Sequence, residues 1–177
     1  MKRLILLVAI AALSAPAVYP QSQGSVASRQ GKAGDVIQLG TGLNLRATKS
    51  AKSPFTGVKL QGSPLVVVLE FDGGKAASVS YKLTPDAKSE VYLMSGAEKI
   101  SPRAVIEDFA SWGSDNDKEV EVLDPKDKVG IVTLNFAQKG TVSLLFDLSA
   151  EQAKAPQKIS LIVRTPKNES FSVVVNL

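Results

Sequence analysis

Between Asp35 and Leu177 the chain is a succession of short runs rich in Val, Ile, Leu, Phe and Thr, each cut off by Gly, Pro, Asp or Asn. This rhythm constrains the fold more than any other feature. The runs are DVIQL (35–39), LNLRAT (43–48), PLVVVLEF (64–71), ASVSYKL (77–83), VYLM (91–94), EVEVL (119–123), GIVTLNFA (130–137), TVSLLFDL (141–148), ISLIVRT (159–165) and FSVVVNL (171–177). Each is too short for an ordinary helix and has the β-branched content of a strand. In LNLRAT, Leu43, Leu45 and Ala47 alternate with Asn44, Arg46 and Thr48, the period of two of a half-buried strand. PLVVVLEF is apolar throughout and reads as a central strand.

Lys139-Gly140 reads as a tight hairpin turn, Thr165 to Asn168 as a second connection, and Ser149 to Lys154 as one helical turn. One segment departs from the β rhythm. SPRAVIEDFASWG (101–113) has Ser101 where an N-cap belongs, Pro102 at the first helical position and Gly113 at the C-terminal end. Val105, Phe109 and Trp112 fall at i, i+4 and i+7, which predicts a short helix packed against the strands. The expected fold is all-β, an antiparallel Ig-like β-sandwich of about nine to ten strands with one short helix at about 101–113. No βαβ alternation points to a parallel sheet.

Ahead of the strands the chain begins MKRLILLVAIAALSAPAVYPQ. Lys2 and Arg3, the apolar run Leu4 to Leu13, and Ala15-Pro16-Ala17 make the three parts of a secretory signal peptide, expected at 1–17. The apolar run is too short to span a bilayer as a helix. Residues 18–34 are Ser-, Gln- and Gly-rich and read as a disordered spacer, so the folded domain is expected over 35–177. Removal of Lys2 and Arg3 lowers the formal charge from +4 to +2. No basic stripe interleaved with aromatics stands out, which argues against nucleic acid as a partner. The chain has no cysteine, so no disulfide supports it. That suits a bacterial exported protein, periplasmic or extracellular, stabilised by its apolar core alone.

The chain also has no histidine. Ser-His-Asp triads, His-bearing zinc sites and thiol chemistry are thereby excluded. Paired carboxylates remain as candidates at Glu107, Asp108, Glu119 and Glu121, the arrangement used in glycoside cleavage. A Ser/Lys nucleophile finds only Ser50-Ala51-Lys52 and Ser89-Glu90, both turn-like. Gly40-x-Gly42 lacks the third glycine and the helix of a dinucleotide fold, and Asn168-Glu169-Ser170 is a formal glycosylation sequon.

Calcium needs only oxygen ligands. Asp115, Asp117 and Glu119 have the 1, 3, 5 spacing of an EF-hand loop, but Val120 stands at position 6 and Lys126 at position 12. The EF-hand is rejected. Asp115 and Asp117, with a second loop at Asp124 and Asp127, remain a candidate calcium site; no other cofactor is expected. Charge is uneven as well. Residues 107–128 carry a local −5 and residues 29–59 a local +5, which reads as solvated faces or as docking surfaces. Trp112 is the single tryptophan and the candidate partner anchor if it is exposed.

The GDVIQLGTGLNLRAT strand pair, PLVVVLEF, YLMSGAEKISP, the Leu123-Asp124-Pro125 turn, GIVTLNF and SLLFDLS follow one another over 35–177. This layout resembles the bacterial exported Ig-like domains of unknown function that include a mycobacterial immunoprotective extracellular antigen. The resemblance implies extracellular binding or interaction without established catalysis, and it transfers no functional residues. The expected function is an exported, non-catalytic binding or protein-interaction module with a protein or cell-envelope ligand and no membrane span after signal cleavage. The alternatives are a calcium- or carbohydrate-linked accessory or hydrolytic domain, and a structural subunit that assembles through an edge strand.

Overall fold

A computed structural model describes residues 26–40, 42–75, 77–84, 86, 88–109, 121–123, 131–136 and 138–177. In chain order the strands are β1 (Ala27–Lys32), β2 (Ile37–Gln38), β3 (Asn44–Ser50), β4 (Ser63–Asp72), β5 (Ala77–Lys82), β6 (Val91–Ser95) and β7 (Glu98–Ile100). They continue with β8 (Ala104–Phe109), β9 (Glu121–Val122), β10 (Ile131–Phe136), β11 (Lys139–Leu148), β12 (Gln157–Arg164) and β13 (Ser170–Asn176). Among the described residues a single short helix, α1 (Ala150–Lys154), lies between β11 and β12.

The strands form two sheets. The first runs β1-β13-β12-β5-β10, with β6 also paired to β12 and β7 paired to β6. The second runs β2-β3-β4-β11-β8-β9. Every pairing is antiparallel except β1 with β13. The sequence alternation explains the layering. Leu45, Leu69, Phe71, Val142, Leu144 and Phe146 turn inward from the second sheet and meet Val79, Tyr81, Leu93, Leu161, Val163 and Val173 of the first, all essentially inaccessible. Burying a Leu- or Phe-sized side chain stabilises by about 1.5–3 kcal/mol each, so this layer is the main source of stability. The result is an all-β sandwich, as expected.

Three local expectations are corrected. Residues 104–109 are strand β8, not helix; the rest of the expected helix, 110–113, lies outside the described residues. β8 sits between β11 and β9, and both its faces are covered. Val105 joins the main core, while Ala104 and Ile106 are buried in a second cluster on the opposite face. A strand buried on both faces loses its period of two, and Val105/Phe109 then mimics a helical stripe. Ser101 donates its hydroxyl to the Asp86 carbonyl (2.7 Å) instead of capping a helix. A helix forms at α1, where Ser149 and Gln152 exchange side-chain-to-backbone hydrogen bonds as a capping box.

The second correction concerns the spacer. Residues 27–32 pair in parallel with Phe171–Asn176, and Ala27 packs on the main core. Ladder hydrogen bonds to β13 hold a segment whose composition has little to bury. Third, Lys139-Gly140 is not a hairpin turn. Both residues open β11, and the preceding strand β10 lies in the other sheet, so the connection crosses the sandwich.

Candidate functional site

The outer face of the second sheet is divided in two. One half is closed. Residues 51–62, between β3 and β4, form a strap that places Phe55, Val58 and Leu60 over Val66, Val68, Ala104, Ile106 and Leu145. The far end of the strap is fixed by Asp147 on β11. Its carboxylate accepts backbone N–H hydrogen bonds from Gln61 and Gly62, both at 2.8 Å. Gly62 is required there, because a Cβ at this position would overlap the Leu148 carbonyl oxygen. The near end turns on Ser50, whose hydroxyl donates to the Lys52 carbonyl (2.6 Å).

The other half is open and polar. Register puts Asn44, Asp72 and Lys139 in one row across β3, β4 and β11, and Arg46, Glu70 and Thr141 in the next. Their side chains point outward because Leu45, Phe71 and Gly140 occupy the alternate, buried positions. The Lys139 ammonium lies between two carboxylates, 3.7 Å from Glu70 and 3.6 Å from Asp72. Arg46 is exposed opposite Glu70. With Val36 and Leu45 these groups line a shallow recess of about 190 Å³. It presents two cations, two carboxylates and an amide on a rigid three-strand platform. Such a surface offers hydrogen-bonding groups and charges of both signs to a polar group.

Trp112, Asp115 and Asp117 lie outside the described residues, as do Glu119, Asp124 and Asp127. Among the described residues no group of three or more His, Cys, Asp or Glu side chains is placed to hold a metal ion. Glu107 accepts a hydrogen bond from the buried Tyr81 hydroxyl (2.7 Å), which links the two sheets. The side chain of Asp108, its partner in the candidate carboxylate pair, lies outside the described residues. Ser89 is buried and donates to the Val91 carbonyl (2.7 Å), a turn role. Gly40 and Gly42 both have positive φ and serve the β2–β3 turn. Asn168, also at positive φ, is exposed at the β12–β13 turn.

The basic segment 29–59 does not form one surface. Arg29 stacks on Phe171 (5.5 Å to the ring centroid), Lys49 donates across the sandwich to Gln157 (2.7 Å), Arg46 faces the recess, and Lys52 and Lys59 ride on the strap. Sequence reasoning missed Glu70, Asp72 and Lys139. The available signal was the outward phase of Glu70 and Asp72 on β4; the nonlocal pairing of β4 with β11, which brings Lys139 to them, is not encoded in spacing.

No family model matches the chain, and no curated protein matches it. Among solved structures it is similar to an uncharacterized β-sandwich protein from Clostridium difficile 630, at 8% identity over 86% of this chain and 97% of that chain, with a TM-score of 0.43. It is also similar to the yeast delta-COP-I μ-homology domain, at 14% identity over 76% of this chain and 53% of that one, with a TM-score of 0.25. The same domain complexed with a Dsl1 WxWxV peptide gives 13% identity and the same TM-score.

Proposed function

We propose that the protein is an exported, non-catalytic binding module, and that its recognition surface is the open half of the second sheet's outer face. The observation that supports this is the division of that face. The apolar half is sealed by its own strap, while the rows Asn44–Asp72–Lys139 and Arg46–Glu70–Thr141 stay open around a recess. The ligand class is a polar or zwitterionic segment of a protein or cell-envelope polymer, met by Glu70 and Asp72 on β4 and by the cations that flank them, Arg46 on β3 and Lys139 on β11. The leader pattern read at 1–17 supports export, and the resemblance to exported Ig-like domains supports the same reading.

The test is chemical-shift mapping with short peptides of acidic, basic and mixed charge, together with muropeptide fragments. Shifts clustered at 36, 44–46, 70–72 and 139–141, with the added compounds recovered intact, are the expected result. Shifts confined to other surfaces, or cleavage of the added compounds, would overturn the reading.

A further inference from the structure

The edges of the two sheets are guarded unequally. β1 carries Arg29 and Lys32, the free side of β3 carries Arg46 and Lys49, and β7 carries Glu98 and Lys99. β9 includes Glu121. β10 is the terminal strand of the first sheet, paired with β5 over six residues, and its sequence IVTLNF holds no charge, no proline and no glycine. Natural edge strands are ordinarily protected by charged side chains, proline or bulges, because an unpaired row of N–H and C=O groups is a template for another strand. Among the described residues no strand lies on the far side of β10.

We propose that the β10 edge is a self-association site that takes β10 of a second copy of this chain in antiparallel pairing about a two-fold axis. The occupant follows from the chemistry of the edge. Antiparallel pairing of a strand with itself is self-complementary, and an isologous contact of this kind closes at the dimer. Identical residues then face each other or near neighbours, so an edge bearing Lys or Arg repels its own copy, and of the longer edges only β10 is free of that penalty. Thr133 and Asn135, both exposed, are polar and compatible with a paired outer face, while Leu134 remains in the core. A contact of one short strand is at the small end of protein interfaces, so the dimer is reversible and concentration-dependent. This proposal is independent of the recess.

The absence of cysteine makes the test direct. In Thr133→Cys, Asn135→Cys and their mixture, a lone thiol sits on β10 in each chain, which covers three adjacent pairing registers. Ser28→Cys on β1 is the control. Under mild oxidation the β10 variants should form covalent dimers at least roughly tenfold faster than the control, because pairing raises the local thiol concentration. Light scattering on the unmodified protein should show its mass rising towards a dimer with concentration. Thr133→Lys should abolish that rise and leave the melting temperature near that of the parent. Equal cross-linking on β1 and β10, a monomer at every concentration, or a dimer that survives Thr133→Lys would each overturn the proposal. The mass and Thr133→Lys measurements stand even if a cysteine variant fails to fold.

Discussion

Arg164 grips Glu90 through two hydrogen bonds of 2.6 Å, guanidinium to carboxylate, where β5 and β6 share one edge of β12. The backbone of Glu90 joins the same junction. Its N–H donates to the Lys82 carbonyl and its carbonyl accepts from Ile162. A single residue thus holds the end of β5, the approach to β6 and the middle of β12 in register. The hydrogen bonds from Arg164, aided by its charge, hold the Glu90 carboxyl below its ordinary value although partial burial opposes them.

The pH dependence follows from that direction. A carboxyl with a depressed folded-state pKa contributes stability that is present above its unfolded value and lost as pH falls through the folded value. Arg164→Met and Glu90→Gln should each cost about 1–2 kcal/mol at neutral pH, discounted for the partial exposure of Arg164. Both should flatten the fall in stability below the usual carboxylate range. Urea titrations from neutral to acidic pH measure this; an acid limb as steep in the variants as in the parent would remove the assignment.

The strap can be separated from the main core by mutation. Phe146→Ala opens a cavity in the intersheet layer and should cost about 3–5 kcal/mol. Phe55→Ala should cost less, because a strap stripped of its anchor opens locally and limits the loss. Hydrogen exchange should then accelerate over residues 51–62 while the protection of β4 and β12 persists. Uniform acceleration through both sheets would show that the strap is part of one cooperative unit.

Gly62→Ala forces a methyl group against the Leu148 carbonyl and should destabilise by about 2 kcal/mol or more. Asp147→Ala deprives two strap N–H groups of their acceptor and should cost about 1–2 kcal/mol. The double variant should fall short of the sum, since both lesions release the same strap end. Denaturant unfolding of the two single variants and the double variant tests the coupling.

Calcium bears on the candidate ligands Asp115 and Asp117. Under the binding-module reading the protein needs no metal, so its melting temperature and the fluorescence of Trp112 should be the same in millimolar calcium and in EDTA. A calcium-dependent rise in melting temperature that is abolished by Asp115→Asn with Asp117→Asn would instead establish a site.

Strand positions were legible wherever one face of a strand is wet. LNLRAT and ASVSYKL announce themselves because a polar residue follows each apolar one. The same rule fails at AVIEDF, where the strap dries the outer face and removes the alternation. It fails at ASRQGK for the opposite reason, since backbone pairing with β13 leaves no apolar signature. The recess was illegible for a third reason. Lys139 reaches Glu70 and Asp72 only through a pairing between strands more than sixty residues apart in sequence, which no local pattern encodes.

The parallel pairing of Ala27–Lys32 with Phe171–Asn176 has a consequence in time. β1 has to wait for β13, because its ladder partner is made long after it. β12 likewise waits for β13. Closure of the first sheet is therefore a late event with a large loop-entropy cost, the signature of slow β-sandwich folding. If a leader at 1–17 sends the chain through a membrane channel, this delay keeps it threadable until β13 has been made.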